Sequence, residues 1–177
     1  MIKNKITFLI IIIIVSIVFQ SNSCNKNDSN NPVNPEGTQM NYIGGYNTNG
    51  DSRGITLNKI NNVIYGYLAD GSNGLQILNL TNIYSPVLSA NYNTNGFSYE
   101  VITSAVNNIY FAFVSDGAGG LVIVNINNPS SPALDTILQF ANEEIVTAAV
   151  SGNYCFPKMN PVHPLCPVKL ILLNVSP

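Results

Sequence analysis

Two aspartates, each followed by glycine, stand at the same phase of the chain: Asp70-Gly71 and Asp116-Gly117, 46 residues apart. A carboxylate in a glycine-rich loop can ligate calcium, but that ion takes six to eight oxygens, usually from several acids, and each loop supplies one. Asp-Gly is also a preferred pair for a tight hairpin, because both residues tolerate positive φ. Turn formation is the leading reading of Asp70 and Asp116, and calcium the weaker one. Cys155 and Cys166 enclose ten residues. In an oxidising compartment they would close a disulfide, worth roughly 3 kcal/mol on the chain-entropy model. His163 lies between them, but a structural zinc needs a fourth ligand and none is near in sequence, so no metal site is expected. A nucleophilic Cys-His pair would need a reduced thiol. Glu100 and Glu144 are the acids that recur at a common phase, and a polysaccharide hydrolase or lyase would want such groups facing inward. Glu143 and Glu144 are adjacent, so in a strand they point to opposite faces and cannot share a proton. Ser52 and Ser98 are candidates to line one end of the fold. Tyr42, Tyr84 and Tyr99 are candidates for ligand stacking, the other tyrosines falling mostly within apolar runs. Asn79 opens an Asn-Leu-Thr sequence that formally fits a glycan acceptor, but its place at the end of a repeated strand favours a structural role.

These residues are positioned by a repeat. Tyr46 to Leu88 lies over Tyr92 to Leu134 without a gap, with 18 of 43 positions identical. The shared residues include Tyr-Asn-Thr-Asn-Gly at Tyr46 and Tyr92, the pairs Asn61-Asn62 and Asn107-Asn108, and Ser85-Pro86 and Ser131-Pro132. A period of this length, alternating short β-rich runs with turn residues, marks like units too small to bury a core alone. Within one unit, Gly54 to Asn58 alternates apolar and polar residues and is followed by an Asn61-Asn62 turn. Val63 to Ala69 is nearly all apolar or aromatic, which fits a strand covered on both faces. Leu75 to Leu80 and Val87 to Tyr92 are the third and fourth strands. Four short antiparallel strands per unit is the size of a propeller blade.

The first segment is built for export: Lys3 and Lys5, then an apolar run from Ile6 to Phe19 broken only by Thr7 and Ser16. That run is several residues short of the roughly 20 needed to span a bilayer, so residues 1–23 read as a signal peptide. Ser21-Asn22-Ser23-Cys24 resembles a bacterial lipobox, which implies lipidation of Cys24. Simple secretion or an uncleaved short anchor are the alternatives. Two or three acyl chains would hold the protein firmly on a membrane. Residues 24–41 are poor in apolar side chains, with Pro32 and Pro35 among asparagines, and read as a disordered tether. Without the leader the chain has five Lys and Arg against nine Asp and Glu, a net charge of −4 and no basic run, so nucleic acid is not an expected partner. Charged residues make up 9% of the sequence, far under the ~25% of soluble domains, and 28 asparagines take over much of the polar surface.

The runs Gly-Leu-Gln-Ile-Leu-Asn-Leu from Gly74 and Gly-Leu-Val-Ile-Val-Asn-Ile from Gly120 resemble the LVIVD repeat family, bacterial and archaeal surface proteins. Gly74 and Gly120 match the glycine before the family's apolar strand, and Leu121 to Val124 its core. The resemblance implies an all-β chain of propeller-type blades. It carries little about activity, because propellers host many unrelated functions. Where the family has aspartate after the core, this chain has Asn79 and Asn125. The resemblance covers Tyr42 onwards, divided at about 42–88, 89–134 and 135–177.

A third unit is expected, since Glu144 to Val150 copies Glu100 to Val106 and Lys169 to Asn174 copies the strand ending at Asn125. Between them no Asp-Gly pair recurs, and four prolines from Cys155 to Cys166-Pro167 are expected to forbid a regular strand pair. Tyr42 to Tyr46 aligns with the fourth strand of a unit. Tyr42 to Pro177 is 136 residues, close to three units, whereas closed rings need at least about four blades. Two readings follow: a homodimer exchanging terminal strands to complete a six-bladed ring, or a fragment of a longer array. The functional expectation is a lipid-anchored extracytoplasmic module of the cell envelope that binds a protein or glycan or acts as a scaffold. It is expected to have neither catalysis nor cofactor of its own. A propeller hydrolase or lyase acting on polysaccharide, and a cell-surface adhesin or carbohydrate-binding module, are the alternatives.

Overall fold

The computed structural model describes residues 42–160 and 171–172. Every regular element among them is a strand: β1 (Gly54–Ile60), β2 (Val63–Ala69), β3 (Leu75–Asn79), β4 (Val87–Tyr92), β5 (Glu100–Val106), β6 (Ile109–Ser115), β7 (Leu121–Asn125), β8 (Ala133–Leu138), β9 (Glu144–Ser151), β10 (Tyr154–Asn160) and β11 (Ile171–Leu172). They form three antiparallel sheets in meander order, β1-β2-β3-β4, β5-β6-β7-β8 and β9-β10-β11. The predicted signal peptide, the tether, Cys24, His163 and Cys166 lie outside the described residues.

Local chemistry sets each hairpin. Asn61 and Asn62 have φ of 49° and 70°, and Asn107 and Asn108 of 51° and 63°. Two successive left-handed residues make a type I′ turn, whose twist matches the flanking strands, and asparagine tolerates that conformation best after glycine. Register follows directly, with Ile60 opposite Val63 and Val106 opposite Ile109. The connections before β4 and β8 also repeat. Asn82 Oδ1 accepts the Tyr84 N–H at 3.1 Å and Asn128 Oδ1 the Ser130 N–H at 3.2 Å, each an Asx turn. A bulge interrupts the outermost ladder at the same place in both sheets, between Ile77 and Leu78 and between Ile123 and Val124.

The core lies between sheets. Tyr67, Ala69, Leu75 and Ile77 of the first sheet pack on Val101, Ala112, Val114, Val122 and Val124 of the second. The other face of the second sheet, with Phe111, Phe113, Leu121 and Ile123, packs on Ile145, Ala148, Cys155 and Met159 of the third. Thus β6 and β7 are covered on both sides by neighbouring sheets, as their unbroken apolar runs require. Contact between sheets is concentrated where β1 meets β5 and β5 meets β9, the wedge-like splay of propeller blades. Among the described residues the row of sheets is not closed into a ring.

One expectation is corrected. Pro157 does not forbid a strand pair: β10 contains it opposite Ala148 and ladders with β9 from Tyr154 to Asn160, with a bulge between Lys158 and Met159, while the other three prolines of the stretch lie outside the described residues. Tyr154 and Ser151 flank a two-residue turn at Gly152 (φ 56°). Counting from that pair in steps of two puts Pro157 at a non-hydrogen-bonded position, where a missing N–H costs β9 nothing. The Asp70 and Asp116 turns lie between β2 and β3 and between β6 and β7. Ala69 pairs with Leu75 and Ser115 with Leu121, leaving five-residue loops closed by Asp70 N–H to Gly74 O (2.8 Å) and Asp116 N–H to Gly120 O (2.9 Å).

Candidate functional site

The two aspartates are the most constrained polar residues of the fold. Asp70 and Asp116 are both 0% exposed. Each carboxylate turns inward and is held by the segment that leads into its own unit's first strand. Thr94 Oγ1 donates to Asp116 Oδ1 at 2.6 Å, Ser98 Oγ to the same oxygen at 2.7 Å, and the Gly96 N–H to Oδ2 at 2.7 Å. In the first unit Ser52 Oγ donates to Asp70 Oδ1 at 2.6 Å, with Thr48 Oγ1 2.9 Å from Ser52 Oγ. Gln76 Nε2 and Asn73 Nδ2 reach Asp70 Oδ2 at 2.8 and 3.2 Å. Burial pushes the Asp70 carboxyl up, but the hydrogen bonds from Ser52, Thr48, Asn73 and the Gly50 amide outweigh it and hold the group below the usual aspartate value. Glycine is required at positions 50 and 96, because a Cβ there would run into the Asp70 and Asp116 carbonyl oxygens.

The same loops tie neighbouring units together. Gly71 (φ 59°) exchanges backbone hydrogen bonds with Ser98, at 3.2 and 3.0 Å, and Gly117 (φ 59°) with Ile145, at 2.9 and 3.0 Å. Ser98 therefore serves two units, its side chain on Asp116 and its backbone on Gly71. The recurrence of Thr-x-Gly-x-Ser and Asp at fixed spacing is this clasp written in sequence. The third unit lacks both halves: residues 138–144 read Leu-Gln-Phe-Ala-Asn-Glu-Glu, and no aspartate follows Asp135.

Ser98 is buried against its carboxylate, whereas Ser52 donates to Asp70 and yet stays exposed, lining a shallow groove with Arg53, Gly54, Ile55 and Leu68. The donors around Asp70 and Asp116 are O–H and N–H groups, which suit a carboxylate and not a shared cation, and among the described residues no three His, Cys, Asp or Glu are placed to hold a metal. Outside the clasps runs a row of side chains that crosses from the first unit to the second. Arg53 lies with its guanidinium 5.4 Å from the centroid of the Phe97 ring, and Phe97 sits 5.0 Å from Tyr99 at 53°. Asp51 accepts from Arg53 Nε at 2.9 Å. The Tyr99 ring borders Gly117, and a groove of about 450 Å³ lined by Ala118, Phe140, Asn142, Glu143 and Glu144 opens at the junction of the second and third units. Of the three tyrosines singled out in the sequence, Tyr99 belongs to this row, while Tyr84 and Tyr42 are exposed. Arg53 and Phe97 escaped the sequence reading; the signal was their alternation with Ser52 and Ser98.

Glu100 begins β5 and Glu144 begins β9, neighbouring strands. Cys155 is a buried free thiol in the face of the third sheet that meets the second, and burial pushes it up to about 11. Asn79 Oδ1 accepts from the Thr81 amide at 2.8 Å and from its hydroxyl at 2.6 Å, and Asn125 Oδ1 from the Asn127 amide at 3.0 Å. An amide oxygen performs there the turn-forming acceptance that a carboxylate would.

The repeat, the wedge of sheets and the loop geometry converge on one comparison. The LVIVD repeat model matches residues 64–94 and 110–139, which run from β2 and β6 through the fourth strand of each unit. Those two stretches are similar to the LVIVD repeat. The matched residues comprise β3 and β7 with their flanking strands, in the two units that hold the aspartate clasp. No curated protein and no solved structure matches the chain.

Proposed function

We propose that this β-propeller-like LVIVD protein is a lipid-anchored, extracytoplasmic binding or scaffold module of the cell envelope, which recognises a protein or glycan at the end of the array where the aspartate loops lie. The observation that carries the reading is the Arg53–Phe97–Tyr99 row on loops whose backbone is fixed by the Asp70 and Asp116 clasps. Aromatic rings bring large contact area with few rotors, and a pre-ordered loop loses little entropy on binding. The charged leader, Cys24 and the tether of residues 24–41 support the envelope address, and the net charge of −4 without the leader argues against nucleic acid. The module has no catalysis of its own in this reading.

The test is chemical crosslinking of the intact cell-bound protein, followed by identification of what is attached, together with a glycan array. Phe97→Ala and Tyr99→Ala are expected to abolish the partner signal while leaving thermal stability near that of the parent chain. Retention of the full signal in both variants would remove this surface from the proposal. Turnover of a polysaccharide, lost on Glu100→Gln, would replace the binding reading by the hydrolase or lyase.

A further inference from the structure

The sheets pack by one rule. In each junction the face carrying Tyr67 or Phe113, the trailing face, covers the opposite face of the next sheet, the leading face. The leading face of the second sheet has Val101, Val114, Val122 and Val124, and that of the third has Ile145, Ala148 and Cys155. Register places Ile55, Leu57, Ile64, Leu68, Leu78 and Leu88 on the corresponding face of the first sheet. There Ile55 is 66% and Leu57 60% exposed, with Ile64 and Leu88 also exposed around buried Leu68 and Leu78. On the third sheet the trailing face presents Tyr154 and Phe156, 49% and 36% exposed, against an otherwise polar edge. Among the described residues the fold therefore leaves one leading face and one trailing face without a covering sheet, and each is the counterpart of a face that is covered by a sheet elsewhere in the same chain.

A second observation concerns the segment before β1. Ser89 of β4 lies against the next unit's connection, its Oγ 3.3 Å from Pro129 O and 3.0 Å from Ser130 Oγ. Gly44, 45 residues earlier in the chain and one position on in the repeat, is so close to the connection of the first unit that a Cβ would come within 2.7 Å of the Ile83 and Tyr84 carbonyl oxygens. Residues 43–46 thus occupy the place of a fourth strand belonging to a preceding sheet, while the third sheet has three strands among the described residues.

We infer that these features meet between two copies of the chain. The trailing face of one copy's third sheet covers Ile55 and Leu57 of the other, and residues 43–46 of the latter run beside β11 as its fourth strand. The three sheets among the described residues fall short of the four to eight blades that propellers adopt, whereas two such sets give six. The junction is heterologous, leading face to trailing face, and occurs twice around a two-fold axis, as a closed dimer requires. The inference is independent of which ligand the loop end recognises.

The full chain, solubilised in a mild detergent, is to be measured by size-exclusion chromatography with light scattering, alongside Leu57→Glu and Phe156→Glu. Both substitutions are at exposed positions, so each variant is expected to keep its circular dichroism and melting behaviour as a monomer. The parent chain is expected to have twice the protein mass of either variant. Mixing the two variants is expected to restore a dimer, because an intact trailing face from one and an intact leading face from the other still make one junction. A monomeric parent chain, a dimer indifferent to both substitutions, an open-ended polymer, or a mixture that stays monomeric would each overturn the inference.

Discussion

A buried carboxylate is tolerated only when donors replace its hydration, and Asp116 receives three. Asp116→Ala strands the Thr94 and Ser98 hydroxyls and the Gly96 amide, and is expected to cost about 3 kcal/mol, read from a urea or thermal transition. Ser98→Ala, which leaves Thr94 and Gly96 on the carboxylate, is expected to cost roughly half of that. Asp70 adds a dependence on pH. Its carboxyl titrates below the ordinary aspartate value in the folded protein, so its contribution is present in full above the unfolded value of about 3.9 and is lost as pH falls through the folded one. Melting curves from pH 7 down to pH 2 are expected to show stability dropping below about pH 4, and Asp70→Asn is expected to flatten that drop while lowering stability at neutral pH. Tyr67 shows the opposite situation. Its hydroxyl is buried between the first and second sheets and, among the described residues, is the buried side-chain polar atom without a hydrogen bond. Phe113 stands at the matching position of the next unit. Tyr67→Phe is accordingly expected to stabilise the protein by about 1 kcal/mol.

At the scale of elements, turn chemistry decides where strands begin and end. Asn108 holds a φ of 63°, a conformation that costs most L-residues roughly 1–2 kcal/mol. Asn108→Ala is expected to lose about 1 kcal/mol, whereas Asn108→Gly, which makes the favoured Asn-Gly type I′ turn, is expected to match or exceed the parent chain in a thermal melt. These turns, and the strands on either side of them, were legible in the sequence because both the φ preference and the apolar period are local. The β10 strand was not. Four prolines argue against a ladder if each is assumed to need its N–H, but whether Pro157 points toward β9 or away depends on the register set by the turn at Gly152, which composition does not show. The Asp70 and Asp116 loops were legible as turns but not as clasps. A two-residue hairpin and a five-residue loop share the same Asp-Gly, and the choice follows from where the carboxylate finds its donors.

Across the whole molecule, stability resides in the junctions between sheets, since each sheet buries its faces against a neighbour. Phe113→Ala removes a ring from the junction of the second and third sheets and is expected to cost 3–5 kcal/mol, with protection from amide exchange lost first in β9 and β10. Protection in β1 to β3, which rest on the other junction, is expected to outlast it. The sequence by itself determined the strands and turns of the first two units, because a repeat imprints one local pattern at every pass and the pattern needs no distant partner to be read. Only the tertiary structure decided that Thr94, Gly96 and Ser98 converge on an aspartate about 20 residues further on, that Ser98 also bridges to the preceding unit, and that among the described residues one leading and one trailing face have no covering sheet. Those facts depend on which surfaces meet when sheets stack, and residue types along a single chain do not specify a meeting between surfaces.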